Sequence, residues 1–147
     1  MKLHFTTALA FLTAYVTCDP DNGWGGNINW QASLDDMKAK MKDTNKPGML
    51  IIHKSWCGAC KQLKPKFAAS TKIEKLSEDF VMLNTLDDDE PSGEQFTPDG
   101  GYIPRILFLD PSTQKVVPQF KNEGRDNYKY FYTGEDDIVA SMTKVKA

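Results

Sequence analysis

Leu34, Met37 and Met41 fall on one face of a helix, and Ser33 three residues before Asp36 supplies the capping-box pair that would start it. Asn45-Lys46-Pro47-Gly48 breaks that helix. Met49 to His53 is a short apolar run and reads as a buried strand. Leu63, Phe67, Ile73 and Leu76 then form one long helical pattern, with Pro65 inside it predicting a kink. Phe80 to Leu86 reads as a second strand. Arg105 to Leu109 and Lys115 to Val117 predict a hairpin around Asp110-Pro111-Ser112-Thr113. Thr133 with Asp136 is read as the cap of a last helix carrying Ile138, Met142 and Val145 on one face. Alternating helices and strands followed by an antiparallel pair predict an α/β fold, a central mixed β-sheet flanked by helices on both faces.

Between these elements the chain is polar. Asp19 to Asn29 is Gly-rich and reads as a loosely held lead-in, and Asp87 to Gly101 as an acidic loop. The run Asp87-Asp88-Asp89-Glu90 is read most simply as a solvated loop, with calcium binding as an alternative that lacks the EF-hand spacing. Tyr128, Tyr130, Phe131 and Tyr132 are expected to serve as core and rim packing rather than as a ligand cage.

At 147 residues there is room for one domain of ordinary size, and a net charge of −2 offers no electrostatic case for nucleic acid binding. Residues 1–18 read as a signal peptide. Lys2 supplies the basic start, Leu3 to Val16 the apolar stretch, and Val16 and Cys18 the small residues before a cleavage site. That stretch is too short to span a membrane. The expected organisation is thus a signal peptide at 1–18, a lead-in at 19–29 and one domain at 30–147. Cleavage after Cys18 would leave Cys57 and Cys60 as the mature chain's two cysteines, and no Asn-x-Ser/Thr sequon is present.

Those two cysteines lie in Trp56-Cys57-Gly58-Ala59-Cys60, after an apolar run and before a helical pattern. A pair two residues apart passes between dithiol and disulfide with little backbone movement. Cys57 falls where a helix begins, and the unpaired N–H groups there favour a thiolate, the nucleophile of disulfide exchange. Cys57 is therefore expected to be accessible, with a depressed pKa, and Cys60 to be shielded. Zinc binding competes poorly: a structural site needs four ligands, and only His53 offers a plausible third. A purely structural disulfide would close a very short loop and restrain the unfolded chain little.

The apolar strand, the Trp-Cys-x-x-Cys, Pro65 five residues after Cys60 and the downstream Ile103-Pro104 together resemble a thioredoxin fold from about Trp30 onward. Within it, Ile51 to Lys61, Pro98 to Pro111 and Tyr128 to Tyr132 are similar to small, single-domain endoplasmic-reticulum members of the disulfide isomerase family and their anterior-gradient relatives. The resemblance implies that Cys57 attacks, Cys60 resolves, and Pro104 is a cis-proline beside the dithiol. It further implies that the backbone of Ile103 pairs with an extended substrate and that Trp56 shapes the surface next to Cys57. The implied activity is thiol–disulfide exchange on cysteine-containing client proteins of the secretory pathway. Glutathione or partner oxidoreductases would reset the pair, and no further cofactor or metal is expected. A non-catalytic chaperone or client-binding module on the same scaffold is the alternative.

Three positions depart from the pattern. Ile51 stands where thioredoxins carry a buried acid, and Ala59 where disulfide isomerases carry a histidine. Cys57 would then depend mainly on the helix N-terminus, with Lys54 and Lys61 as helpers. The chain ends in Lys144-Val145-Lys146-Ala147 rather than a Lys-Asp-Glu-Leu-type signal, so both the endoplasmic reticulum lumen and secretion stay open.

Overall fold

The computed structural model describes residues 19–147; the signal-peptide reading of residues 1–18 lies outside them. The first strand, β1 (Gly48–His53), is the middle of a three-stranded sheet. It pairs in parallel with β2 (Val81–Leu86) and antiparallel with β3 (Arg105–Leu109), giving the order β2-β1-β3. The sheet is mixed, as its sequence pattern predicts.

Helices cover both faces. Met49 and Ile51 of β1 pack with Leu63 and Phe67 of α2 (Gly58–Ala68), Ile73 of α3 (Thr71–Ser77), and Ile138 and Met142 of α4 (Glu135–Lys146). Leu50 and Ile52 face the other way, onto Met37 and Met41 of α1 (Leu34–Thr44). This explains why β1 is an unbroken apolar run: every one of its residues is buried, and each large side chain so removed from water contributes about 1.5–3 kcal/mol. Helix α1 comes so close that a Cβ on Gly48 would lie 2.4 Å from Met37 Cε and 2.8 Å from Met41 Sδ. The start of α1 is capped by Ser33, which accepts the Asp36 N–H at 3.1 Å. Asn45, left-handed at φ 53°, ends it.

Four expectations need correction. The long helical pattern is two helices, α2 and α3, and the break falls at Ala69-Ser70 rather than at Pro65, which lies inside α2. Ser70 makes the break: its hydroxyl accepts the Ile73 N–H at 3.0 Å and donates to Glu135 at 2.5 Å, so it starts a new helix and ties it to α4. The expected hairpin has no second strand. Lys115 to Val117 make one isolated bridge, Leu109 to Val116, and Pro118 has no N–H to extend it. At the last helix the cap is Gly134 without a side-chain bond, not Thr133. The three acids Glu135, Asp136 and Asp137 in its first turn complement the helix dipole instead.

The fourth correction is the lead-in, which is not loosely held. Trp24 is fully buried and Ile28 nearly so. Gly23 and Gly25 take positive φ, 83° and 126°, and turn the chain so that Trp24 enters the core between them. Asn22 donates to Asn84 at 2.8 Å, and the Gln31 N–H to the Met82 carbonyl at 2.8 Å. Residues 19–29 therefore belong to the packed body of the domain.

Candidate active site

Cys57 is the N-cap of α2. Its backbone is extended (φ −79°, ψ 113°) and its Sγ accepts the Cys60 N–H at 3.0 Å. The two cysteines form a disulfide with a Cα–Cα separation of 5.2 Å. When the bond is reduced, the N–H that meets Sγ and the positive end of α2 both favour the thiolate. Cys57 is 5 % exposed and Cys60 1 %, so both are buried in the disulfide form and the expectation of an accessible Cys57 needs correction: it shows solvent only a narrow edge. A Cβ on Gly58 would meet nothing within 4 Å, so the approach over the start of α2 is open. Trp56, directly before Cys57, is 73 % exposed.

Arg105 of β3 pairs with Ile52 of β1, which puts Ile103-Pro104 at the end of the sheet from which β1 runs into the Cys57 loop. The Ile103–Pro104 peptide is cis. Ile103 lies beyond the β1–β3 ladder and makes no backbone hydrogen bond among the described residues. Sequence reading missed what fixes this end of the sheet. Arg105 is fully buried; its Nε donates to the Phe96 carbonyl at 3.0 Å, one terminal nitrogen to the Tyr102 carbonyl at 2.5 Å, and the other to Glu90. Glu90 also pairs with Lys54 at 2.7 Å, and Lys54 donates to the Asp87 carbonyl at 2.6 Å. The Asp87 carboxylate accepts the Ser55 N–H at 2.8 Å. The acidic run is thus only half solvated: Asp87 and Glu90 buttress the loop that leads to the dithiol. Burial alone would raise the pKa of Glu90, but the bonds from Lys54 and Arg105 outweigh it and hold the carboxyl below its usual range. Lys54 is engaged in this network and Lys61 is exposed on α2. An arginine at the head of an otherwise apolar strand, Arg105-Ile106-Leu107-Phe108-Leu109, was the available signal.

His53, the third-ligand candidate, is occupied elsewhere. It is fully buried on the α2 side of β1, with Nε2 3.0 Å from Asn84 Oδ1 and its ring edge-on to Trp24 at 5.2 Å. No group of three or more His, Cys, Asp or Glu placed to hold a metal occurs among the described residues. Burial pushes the His53 imidazole below the ordinary histidine value of about 6.5, and Lys64 and Lys54 act the same way, while Asn84 and Asp87 oppose. The folded chain therefore takes up this proton less readily than the unfolded chain. The resulting stability is complete above the unfolded pKa and is lost as pH falls from about 6.5 toward the folded value. Urea unfolding from pH 7.5 to pH 5 should show stability declining below about 6.5. The decline should flatten in His53→Gln; an unchanged profile in that variant would assign the effect to other groups.

A family model described as thioredoxin-like matches residues 29–111. Anterior gradient protein 2 of Xenopus laevis is 36% identical over 127 residues, covering 86% of this chain and 66% of that protein. Anterior gradient protein 1 of Xenopus tropicalis is 37% identical over 131 residues, covering 86% and 67%. The human anterior gradient protein 2 homolog is 41% identical over 90 residues, covering 61% and 50%. The chain thus spans about two thirds of the length of the frog relatives and half of the human one. Among solved structures, a DsbH oxidoreductase superposes with a TM-score of 0.58 at 15% identity, over 83% of this chain and 86% of that one. A thioredoxin from Thermus thermophilus superposes with 0.59 at 15% identity, over 81% and 87%. The fold is the thioredoxin fold, and the chain belongs to the thioredoxin-like family, with the anterior gradient proteins among its relatives.

Proposed function

We propose that this protein is a thiol–disulfide oxidoreductase that acts on client proteins of the secretory pathway through Cys57 and Cys60. The observation that carries this reading is the Cys57–Cys60 disulfide closed across the first turn of α2, with Cys57 Sγ held by the Cys60 N–H. In the reducing direction, the Cys57 thiolate attacks one sulfur of a client disulfide. A Cys57–client bond forms, the client S–S bond breaks, and the other client sulfur leaves as a thiolate that takes a proton from solvent. Cys60 then loses its proton and attacks Cys57 Sγ; the Cys57–Cys60 bond forms and the second client thiol is released. Run in reverse, the same steps donate a disulfide. Glutathione or a partner oxidoreductase resets the pair, and sulfur alone carries the two electrons. A secretory setting, in the endoplasmic reticulum lumen or after secretion, suits disulfide exchange on client cysteines, because disulfides form and persist there. The unpaired backbone of Ile103 would hold an extended client segment beside Cys57, with Trp56 against its flank.

Insulin reduction tests the proposal. Cys57→Ser should abolish turnover, and Cys60→Ser should stop after one attack and accumulate a client mixed disulfide visible on a non-reducing gel. Undiminished reduction by both variants would refute it. The exposed indole of Trp56 favours one second reading, client binding without exchange. Suppression of aggregation that persists in both serine variants would support that alternative.

A further inference from the structure

Among the described residues, Trp56 and Tyr128 are the large apolar side chains that stay exposed. Trp56 adjoins Cys57. Tyr128 packs edge-on against Tyr102, with ring centres 5.0 Å apart, and Tyr102 directly precedes Ile103-Pro104. Tyr102, Tyr128, Phe131 and Arg125 line a cavity of about 280 Å³. That is just under the ~300–1,000 Å³ typical of small-molecule sites, a size suited to one large side chain.

The walls are set in advance. The Tyr102 hydroxyl donates to Asp99 and accepts the Tyr130 N–H at 3.0 Å, while Asp99 also accepts the Lys129 N–H at 2.7 Å. The Arg125 guanidinium lies over the Phe131 ring, 4.9 Å from its centre, and its Nε donates to the Asn127 carbonyl. Tyr128 is held at φ 53°, a left-handed conformation that a bulky side chain seldom adopts and that persists only where the surroundings impose it. A rigid aromatic lining around an open space, with one ring left in solvent, has the character of a binding surface and not of core packing.

We infer that this cavity is a specificity pocket that receives an aromatic side chain of the client, one to three residues from the client cysteine. The inference rests on the oxidoreductase reading for the client's position: a strand rises about 3.3 Å per residue, so a segment paired beside Ile103 brings a nearby side chain to the Tyr102 wall. It also changes the role expected of the aromatic cluster. Tyr130 and Tyr132 are buried packing, but Tyr128 and Phe131 line the pocket.

Peptides with a single cysteine, blocked as the glutathione mixed disulfide, would carry Phe or Ser at each of the three positions on either side of it. Reduced protein should react about tenfold faster with the Phe peptide at one of those positions, the scale of discrimination an apolar pocket provides. In Tyr128→Asn, which removes the ring but tolerates the left-handed backbone, the Phe/Ser rate ratio should fall to about one. No positional preference in the wild type, or a preference that survives Tyr128→Asn, overturns the inference. Exchange with oxidised glutathione separates the two readings, because it needs the dithiol and not the pocket; its absence counts against the oxidoreductase. Equilibrium binding of the same peptides with serine in place of cysteine then decides the pocket alone. About tenfold tighter binding of the Phe peptide supports it and equal binding overturns it.

Discussion

Arg105→Met is expected to destabilise the protein by about 3 kcal/mol, read as the change in unfolding free energy from urea titration. Methionine fits the volume and gains apolar contact, so the outcome depends on the groups left behind. The buried Phe96 carbonyl and the part-buried Tyr102 carbonyl both lose their guanidinium donor; a buried acceptor left unpaired costs about 1–3 kcal/mol, and one that water can reach costs less. Glu90 contributes less, because it keeps Lys54 at 2.7 Å and is 27% exposed, so water can replace the lost partner. The two carbonyls therefore dominate, and the gain in apolar burial offsets only part of their cost. Arg105→Lys should recover a fraction, since an ammonium cannot span three acceptors with the geometry of the planar fork. The effect should extend to the site, because Arg105 holds the backbone of Tyr102 beside Ile103-Pro104 and reaches the dithiol loop through Glu90 and Lys54. A change under about 0.5 kcal/mol would mean the network is incidental to the fold.

The elements that sequence pattern resolves well here are those whose burial has a simple period. Strand β1 is buried on both faces and reads as apolar throughout; α1 and α4 bury one face and show Met37 and Met41, or Ile138 and Met142, one turn apart. Where pattern reading erred at the long helix, a single side-chain bond decided the outcome. The interval from Phe67 to Ile73 continues a helical spacing, and nothing in that spacing reveals that Ser70 will cap a new helix by reaching Glu135 on α4. The Lys115–Val117 strand fails because of Pro118, a local signal that was on hand. At the site, the dithiol was legible because disulfide exchange needs two thiols at that spacing, whereas the cis Ile103–Pro104 turn was expected only from the family resemblance, since proline permits a cis peptide without requiring one. The Arg105–Glu90–Lys54 network and the His53–Asn84 pair were not legible, because each joins residues 15 or more positions apart whose meeting depends on the finished sheet.

Trp24→Ala is expected to cost about 3–5 kcal/mol, the range for removing a fully buried large aromatic side chain. Trp24 lies outside the segment from Trp30 that the resemblance covered, in a stretch whose glycines and polar residues read as peripheral. Its ring sits edge-on to Phe67 of α2 at 5.3 Å and to His53 of β1 at 5.2 Å, wedged between the helix that carries the dithiol and the strand that leads to it. Truncation would leave a cavity there, between Phe67 of α2 and His53 of β1. The indole Nε1 has no hydrogen-bond partner among the described residues, so Trp24→Phe loses volume but strands no acceptor, and should cost less than about 1.5 kcal/mol. Denaturant unfolding of the two variants separates packing from mere tolerance of the segment. A Trp24→Ala cost below about 1 kcal/mol would show that the lead-in rests on the domain without supporting it. The expected gap between alanine and phenylalanine would instead make residues 19–29 part of the platform beneath Cys57 and Cys60.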